Sequence, residues 1–414
     1  MNNKLWIKAF AGGENMDKNG KNTNQKVKMH KIMFAVGAAG VAGLNIASWQ
    51  SVTFSDWYIK TVFPVWLNTY ARLTSKFPFS VGELMLILAV ALTLFGIVFG
   101  IVNLVCRRRF QRAASGFGKF YAWTALVVCY VMTLNCFIFY HSSSFADKYL
   151  AKELAEKILV VSNSEHAVAQ AATQRNYTKR ELAVLRDYIV EKCNELEKQV
   201  IHDDYGEICY DGDLIEASRQ AMRKLGEEYD QLAGFYVTPK YLSFSEFFSQ
   251  QYIMGYYFPF SMEANINSLM YITNVAPTVC HELAHTKGFI YEDDANMIGF
   301  LACINSDDPF LQYCGYLSVL SYVNSDFYES IGKNQSAYQR HVRIRDAVAD
   351  DNIFLTREEW QAVEKKAVIK TSTVKKVSNK LMDTTLKLNG VEEGVLQYNN
   401  VVGLLLAYYD GELY

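Results

Sequence analysis

Long apolar stretches separate the first third of the chain from the rest. Residues 32–49, 84–106 and 120–139 contain no charged side chain, and each is long enough to cross a bilayer as a helix. After residue 140 the apolar residues form shorter stripes, interleaved with charged ones. The pattern predicts a membrane region with three spanning helices, followed by a domain at 141–414.

The first apolar stretch has two interpretations. The residues before it, 1–31, are polar and carry seven lysines, which predicts a disordered basic tail. A basic segment before an apolar run is also typical of a secretory signal peptide. The run is long for a signal peptide and ends in Trp49, a residue common at membrane interfaces, so a retained helix is favoured. Residues 32–140 are then the predicted transmembrane region.

Lysine and arginine counts predict the orientation of the spans. The tail before residue 32 carries seven of them and the loop 107–119 carries five, whereas the loop 50–83 carries three. Short cytoplasmic loops are enriched in these residues, so the tail and the loop 107–119 are expected in the cytoplasm. Three spans then place 141–414 outside it. The aromatic segment 50–80 is expected to lie on the membrane surface, with a packed loop of the domain as the alternative.

The domain is expected to be mostly helical with a small sheet. Residues 235–260, rich in aromatic side chains, are the best strand candidates. Apolar residues at helical spacing predict a series of helices. These are expected at 146–160, 179–200, 211–233, 309–325, 334–349, 356–386 and 395–409. The fold class is therefore a mainly α membrane protein whose second part is a mostly helical α+β domain.

Charge and cysteine content exclude some classes of function. The net charge is −2, so no nucleic-acid partner is indicated. Eight cysteines are present without a C-x-x-C pair. A bond between Cys193 and Cys209 is conceivable, but free thiols are the favoured interpretation.

The strongest chemical signal is the pattern H-E-x-x-H, formed by His281, Glu282 and His285. Histidines four residues apart on a helix project from one face, as two ligands of one Zn²⁺ ion require. Glu282 lies about 100° around the helix, where it can stand beside the metal and act as a general base. Pro277 suits the first helical turn and Gly288 its end. The alternative is a chance occurrence of the motif.

The region 254–323 resembles zincin metallopeptidases of the gluzincin type. In those enzymes the motif is followed, on the next helix, by a glutamate within E-x-x-A-D or E-x-x-A-N, and residues 292–296 match the second form. The chain also resembles a family of bacterial membrane proteins catalogued as a domain of unknown function, with N-terminal spans and an extracytoplasmic zincin-like domain. The matching stretches are 79–83, 257–265, 280–296 and 397–399. The resemblance implies a metal-dependent hydrolase of the bacterial cell membrane.

Glu292 is the expected third metal ligand. Gly288 permits the chain to turn back, and Glu292 would enter the second helix, predicted at 293–305, facing the first. Asn296, four residues on, would accept a hydrogen bond from a ligand histidine, the role that the motif family usually gives to Asp. Asp293 and Asp294 are expected to cap the helix. The alternative is that the whole acidic run is a solvated helix start.

Other residues are weaker candidates for the site. Glu263, Asn265 and Asn267 lie where zincins commonly place the strand that binds substrate, although capping of a loop is at least as plausible. Four tyrosines could stabilise an oxyanion, although most tyrosines only pack. They are Tyr313, Tyr316, Tyr322 and Tyr398. The remaining histidines considered have no partner at ligand spacing. They are His141, His166, His202 and His341.

These observations predict a membrane-anchored zinc metallopeptidase. Zinc-activated water would hydrolyse a peptide bond, with Glu282 as general base. The expected partners are the lipid bilayer and a peptide or protein substrate. The alternative is a non-catalytic sensor or scaffold in which zinc is structural. Cleavage inside the membrane is disfavoured, because the motif lies in a polar domain rather than in a span.

Overall fold

The computed structural model describes residues 19–150, 177–204, 206–389 and 401–414, with only the backbone of 19–27. The described part is mostly helical. Its helices of eight or more residues are α1 (Asn19–Gln50), α2 (Val52–Thr61), α3 (Val81–Val105), α4 (Gln111–Met132), α5 (Lys179–Leu196), α6 (Leu214–Leu225), α7 (Val275–His285), α8 (Glu292–Ile304), α9 (Pro309–Ser330), α10 (Arg357–Lys366), α11 (Thr371–Leu388) and α12 (Val401–Tyr408).

The three predicted spans correspond to helices that are long and apolar enough to cross a membrane. They run over Lys28–Gln50, Val81–Val105 and Gln111–Phe137. The most apolar part of α3 has no buried side chain, which suits a helix whose surface is covered by lipid. Helix α1 begins at Asn19, inside the predicted tail 1–31, and residues 1–18 lie outside the described part.

The aromatic segment at 50–80 is helical, and one of its faces packs into the domain core. It comprises α2 and short helical segments at Phe63–Trp66, Leu67–Ala71 and Arg72–Thr74. Tyr58 and Ile59 are buried, whereas Trp57 on the other face is 52% exposed. The segment therefore combines a packed face with an exposed aromatic one.

Five short strands are present among the described residues. A hairpin joins β1 (Ile201–His202) to β2 (Ile208–Cys209). The second sheet contains β3 (Lys240–Tyr241), β4 (Gly255–Phe258) and β5 (Glu263–Ile266), in the order β3-β5-β4. Strand β5 is central, parallel to β3 and antiparallel to β4. The strands predicted in 235–260 are thus β3 and β4, while residues 236–238 are not in a strand.

Two of the predicted helices are interrupted, because side chains elsewhere bind their backbone. In place of the single helix predicted at 334–349, the structure has two short helices, Gln335–Tyr338 and Asp346–Asp351. Between them, the carbonyls of Val342 and Arg343 accept hydrogen bonds from Arg186 and Asn194. Such carbonyls are then not available to a continuing helix.

The single helix predicted at 356–386 is divided in the structure into α10 and α11, for a similar reason. The side chain of Gln250 donates to the carbonyl of Ile369 at 2.9 Å, in the linker between the two helices. The helix predicted at 211–233 is shorter in the structure, where it corresponds to α6. The helix predicted at 395–409 corresponds to α12, and residues 390–400 lie outside the described part. Of the helix predicted at 146–160, only the part up to Leu150 lies within the described residues.

The core of the domain surrounds α7 and α8. Cys280, Leu283 and Ala284 of α7 and Ile298 and Phe300 of α8 have no exposed surface. All eight cysteines are free, so Cys193 and Cys209 are not bonded to each other. Burial of these apolar side chains supplies most of the driving force that holds the two helices together.

A buried carboxylate fixes the sheet to the start of α3. Glu263 on β5 accepts hydrogen bonds from the backbone N–H groups of Val81 at 3.2 Å and Gly82 at 2.8 Å. These N–H groups begin a helix and have no acceptor within it. Lys240 of β3 contacts the same carboxylate and donates to the carbonyl of Thr74 at 2.7 Å. A buried ion pair thereby joins the sheet to the membrane region.

Candidate metal centre

Helix α7 places both histidines of the motif on one face. Its opposite face packs in the core through Val279 and Leu283. The ring centroids of His281 and His285 are 4.7 Å apart, with the ring planes at 87°. Their Nε2 atoms are 3.1 Å apart. Both rings therefore point into the same volume, as expected of residues four apart on a helix.

The chain reverses after α7 and returns a carboxylate to this volume. Gly288 has φ of +91°, a conformation that glycine adopts without strain. Glu292 is the first residue of α8, and its Oε2 lies 3.1 Å from His281 Nε2 and 3.9 Å from His285 Nε2. The ligand atoms of the three residues all lie within 4.8 Å of one another. They form a group that could hold a metal ion.

The two acidic residues after Glu292 have other contacts. Asp294 is buried, and its Oδ2 accepts the N–H of Phe145 at 2.8 Å. Burial raises the pKa of Asp294 well above its usual value, and the charge of Asp293 adds to this effect. Asp293 Oδ1 accepts the N–H of Asp294 at 3.0 Å. Glu292 is therefore the residue of the acidic run that joins the histidines.

In each imidazole, the hydrogen bond made by Nδ1 determines whether Nε2 carries a proton or a free lone pair. His285 Nδ1 lies 2.7 Å from the carbonyl of Phe289, which only accepts, so Nδ1 carries the proton. His281 Nδ1 lies 2.9 Å from Oδ1 of Asn296, which likewise accepts a hydrogen bond from the ring N–H. When the rings are neutral, both Nε2 atoms thus direct lone pairs towards the shared volume, as metal ligation requires.

Glu282 stands beside the ligand group in a buried position. It is 4% exposed, and its Oε2 has no hydrogen-bond partner among the described residues. Burial raises the pKa of Glu282 to about 8; the charge of His281 lowers it and that of Glu292 raises it. An unpartnered buried carboxylate oxygen is costly for stability, which makes it a candidate for a functional group.

The two histidines differ in their affinity for protons. Burial lowers the pKa of His285 to about 4, and the nearby His281 contributes to the same shift. For His281, burial favours the neutral ring, but the hydrogen bond and charge of Glu292 outweigh burial and raise its pKa. His281 and Glu292 can thus share a proton, which a metal ion bound between them would displace.

Glu263 and Asn265 lie on β5, and Asn267 directly follows this strand. Glu263, Asn265 and Asn267 are all fully buried. β5 is the central strand of its sheet, so its backbone is paired on both sides and is closed to an added strand. Asn267 donates to Ser249 at 2.8 Å, and Glu263 caps α3. The substrate-contacting role predicted for these residues is therefore not supported, whereas capping is observed.

The tyrosines suggested as oxyanion stabilisers occupy different surroundings. Tyr313 is buried and donates to Asp351 Oδ2 at 2.8 Å, while Tyr316 contacts the ring of Tyr188. Tyr322 lies close enough to Glu292 for its pKa to be raised, first by burial and then by that charge. Tyr398 lies outside the described residues.

Among the described residues, the histidines outside the motif do not join the group. His341 Nδ1 lies 2.8 Å from Asp187 Oδ2, and the ring of His141 lies 4.4 Å from that of Trp49. His202 is in β1, and His166 lies outside the described residues.

Three residues of β4 belong to the site but were not predicted. Gly255 lies against Glu282, and the ring of Tyr257 lies 6.3 Å from that of His285. Tyr256 is near enough to Glu282 and Glu292 for their charges to act on its hydroxyl. The sequence did contain a signal for this strand: shortly before the motif, a strand-like stretch has a glycine between large side chains.

Comparisons with known proteins define the family. No curated protein and no solved structure matches the chain. The family described as "Protein of unknown function (DUF3810)" matches residues 58–406, which is most of the 414-residue chain and includes the whole candidate metal centre. The match begins in α2 and ends in α12, so it includes the second and third candidate spans and the domain, whereas the first candidate span, Lys28–Gln50, precedes it. The chain therefore belongs to the DUF3810 family.

Proposed function

We propose that this protein is a membrane-anchored metallopeptidase in which His281, His285 and Glu292 bind Zn²⁺. One observation carries the proposal: a buried carboxylate with an unpartnered oxygen, that of Glu282, stands beside three convergent side chains of metal-ligand type. The match of residues 292–296 to the E-x-x-A-N pattern points to peptide bonds as the substrate.

The donor set suits zinc. Two imidazoles and one carboxylate form the ligand set of many catalytic zinc sites, whereas Mg²⁺ and Ca²⁺ prefer ligands that are all oxygen. The outer contacts of His281 with Asn296 and of His285 with Phe289 orient both rings, as partners of ligand histidines usually do. Zn²⁺ in such a site supplies Lewis acidity, which acidifies water and polarises a carbonyl oxygen.

Glu282 then moves the proton. Its Oε2 accepts the proton of the attacking water, and the same carboxyl group returns it to the leaving amine. The environment of Glu282 suits this exchange, because its buried Oε2 has no hydrogen-bond partner among the described residues that would compete for the proton.

The competing proposal is a sensor or scaffold in which zinc only holds the domain together. A structural zinc site normally has four protein ligands. Among the described residues, the candidate group contains three, and Cys280 is buried on another side, where its Sγ faces the carbonyl of Ser218 at 3.5 Å. Three ligands leave a position for water or substrate, which favours catalysis.

We also propose that the domain faces outward from the cytoplasm of a bacterial cell membrane. The basis is the distribution of Lys and Arg, with seven before residue 32 and five in 107–119, against three in 50–83. Three spans separate the N-terminal tail from the domain.

The deciding experiment measures metal content and peptide cleavage in the full-length protein purified in detergent. The wild type should contain about one zinc ion per chain and cleave members of a peptide library. Glu282→Gln should keep the zinc and lose cleavage. Absence of zinc from the wild type, or wild-type cleavage by Glu282→Gln, would refute the proposal. Zinc without cleavage in the wild type would favour the scaffold.

A further inference from the structure

A single side chain connects the candidate metal centre to a membrane span. The ring of Tyr257 lies 6.3 Å from the ring of His285, and its hydroxyl donates to the carbonyl of Asn135 at 3.2 Å. Asn135 is in the last turn of the third span, Gln111–Phe137. The distance from a ligand histidine to this span is therefore little more than the length of one tyrosine.

The glutamate side of the centre is attached to the chain just beyond the same span. Tyr291 immediately precedes Glu292, and its hydroxyl donates to the carbonyl of Tyr140 at 2.6 Å. Tyr140 follows shortly after Phe137, the last residue of the span. Both the histidine side and the glutamate side of the centre thus lie close to the point where the third span leaves the membrane.

Strand β4 indicates the distance between Glu282 and the start of the second span. At one end of the strand, Phe258 packs so closely on Gly82 that a Cβ there would lie 2.6 Å from the ring. Gly82 is the second residue of α3. At the other end, Gly255 lies against Glu282. Three steps along a strand cover roughly 10 Å, which is the approximate distance from the start of that span to Glu282.

Several hydrogen bonds between the domain and the membrane region fix this distance. The turn at 259–262, between β4 and β5, presents three carbonyls to side chains of the membrane region at 2.8–2.9 Å. The donors are Tyr70, Thr74 and Asn135. In the reverse direction, Glu83 in the first turn of α3 accepts the N–H of Ser243 at 2.9 Å. Contacts of this kind, many of them buried, prevent the domain from moving away from the bilayer.

From this arrangement we infer that the substrates are membrane-anchored polypeptides, cleaved in the few residues next to their membrane segment. The inference rests on the proposed peptidase function. An extended chain advances about 3.3 Å per residue, so a segment leaving the bilayer reaches a site roughly 10 Å away after about three residues. A soluble protein reaches the same site only by bringing a flexible loop equally close to the lipid surface.

The surface beside the site suits such a segment. On either side of Gly255 in the chain, Tyr256 is 42% exposed and Met254 is 36% exposed, and the charge of Glu282 acts on the hydroxyl of Tyr256. Residues that flank membrane segments are commonly aromatic or apolar. An exposed tyrosine and methionine offer such residues an apolar contact and, through the hydroxyl, a polar one.

The test uses the full-length protein in liposomes and one fluorogenic peptide in three forms. The first carries an acyl chain and a spacer of about 4 residues, the second the same chain and a spacer of about 20 residues, and the third no acyl chain. Each is offered to the wild type for cleavage. Each is also offered, with a photoreactive group, to Glu282→Gln, so that binding is read by cross-linking without hydrolysis.

The short-spacer peptide should be cleaved about tenfold faster than the free peptide, at least as fast as the long-spacer one, and should cross-link best. Equal cleavage of the free and acylated peptides would overturn the inference and leave the peptidase function standing. Preference for the long spacer would also overturn it, because the site would then be far from the lipid. Preferential cross-linking of the short-spacer peptide without any cleavage would overturn the peptidase function, and with it the cleavage of such chains, but would leave standing the binding of polypeptides next to their membrane segment. Neither cleavage nor cross-linking would overturn both.

Discussion

Gly255 and Glu282 are in direct contact, and the contact leaves no room for a side chain at Gly255. A Cβ placed there would lie 2.4 Å from Glu282 Oε1 and 2.6 Å from its Cγ. Real Cβ atoms do not approach other heavy atoms so closely. The glycine on β4 therefore restricts the position of the carboxylate on α7.

Gly255→Ala should lower peptide hydrolysis without removing the metal. The added methyl group displaces the carboxylate of Glu282, while His281, His285 and Glu292 are untouched. Loss of a positioned general base costs on the order of 10²-fold or more in kcat. Cleavage kinetics and zinc content of the same preparation measure the two effects.

The matched control is Gly403→Ala. Gly403 lies in α12, and no heavy atom lies within 4 Å of a Cβ placed there. This variant should cleave like the wild type. Undiminished cleavage by Gly255→Ala, or equal losses in both variants, would show that the contact with Glu282 has no role.

Glu292→Gln should reduce the zinc content sharply, because a neutral amide is a far weaker ligand than a carboxylate. Asp293→Asn and Asp294→Asn should retain about one zinc ion per chain. Asn at position 294 still offers an oxygen to the N–H of Phe145, so this variant is expected to fold. Zinc lost from Asp294→Asn but kept by Glu292→Gln would assign the ligand role to Asp294.

Asn296 should tune metal affinity through His281. Asn296→Ala removes the acceptor at 2.9 Å from the ring and should weaken zinc binding by about 10- to 100-fold. Asn296→Asp should strengthen it, because a carboxylate accepts the ring proton more strongly and makes the imidazole a better donor. Competition with a chromophoric chelator gives the affinities. Identical values for all three proteins would contradict the prediction.

The pair Lys240–Glu263 should show strong coupling in stability. Lys240→Met leaves a buried carboxylate without its cation, which costs about 3–5 kcal/mol of unfolding free energy. Adding Glu263→Gln should recover part of this loss, because it removes the unpaired buried charge, while the single amide oxygen can still accept the N–H of Val81 or of Gly82, which bind different oxygens of the carboxylate. Denaturant unfolding in detergent, arranged as a double-mutant cycle, measures the coupling. Additive losses would refute it.

A reporter that is active only in the cytoplasm should stay silent when it is fused after Tyr414. The same reporter inserted in the loop 107–119 should be active, because five Lys and Arg residues hold that loop inside. Strong activity from the fusion after Tyr414 would contradict the three-span topology. The error would then most plausibly concern residues 32–49.

The grouping of His281, His285 and Glu292 was predictable because its members are close together along the chain. Helical spacing aligns the two histidines, and a glycine with positive φ allows the return to Glu292. Similarly, span-length apolar runs need no tertiary contact to be recognised. Features encoded in local periodicity were thus accessible from the sequence.

Pairings between distant segments were not accessible in this way. Glu263 and Asn265 were considered for substrate contact, with capping of a loop as the alternative, because nothing in their spacing reveals that β3 pairs with β5 and makes it central. Gly255 was not singled out, since its importance depends on packing against a helix that follows it in the chain. The burial of Ile59 against Gly288 is a further case of contact between distant residues.

The capping of α3 by Glu263 has a consequence for biosynthesis. Val81 and Gly82 leave the ribosome long before Glu263, which follows Val81 by 182 residues. Helix α3 therefore enters the membrane with its first N–H groups still uncapped, and they bind water until the sheet has formed. The capping hydrogen bonds at this helix end can form only after the chain has been synthesised beyond β5. The membrane helix therefore reaches its final structure only after the domain has begun to fold.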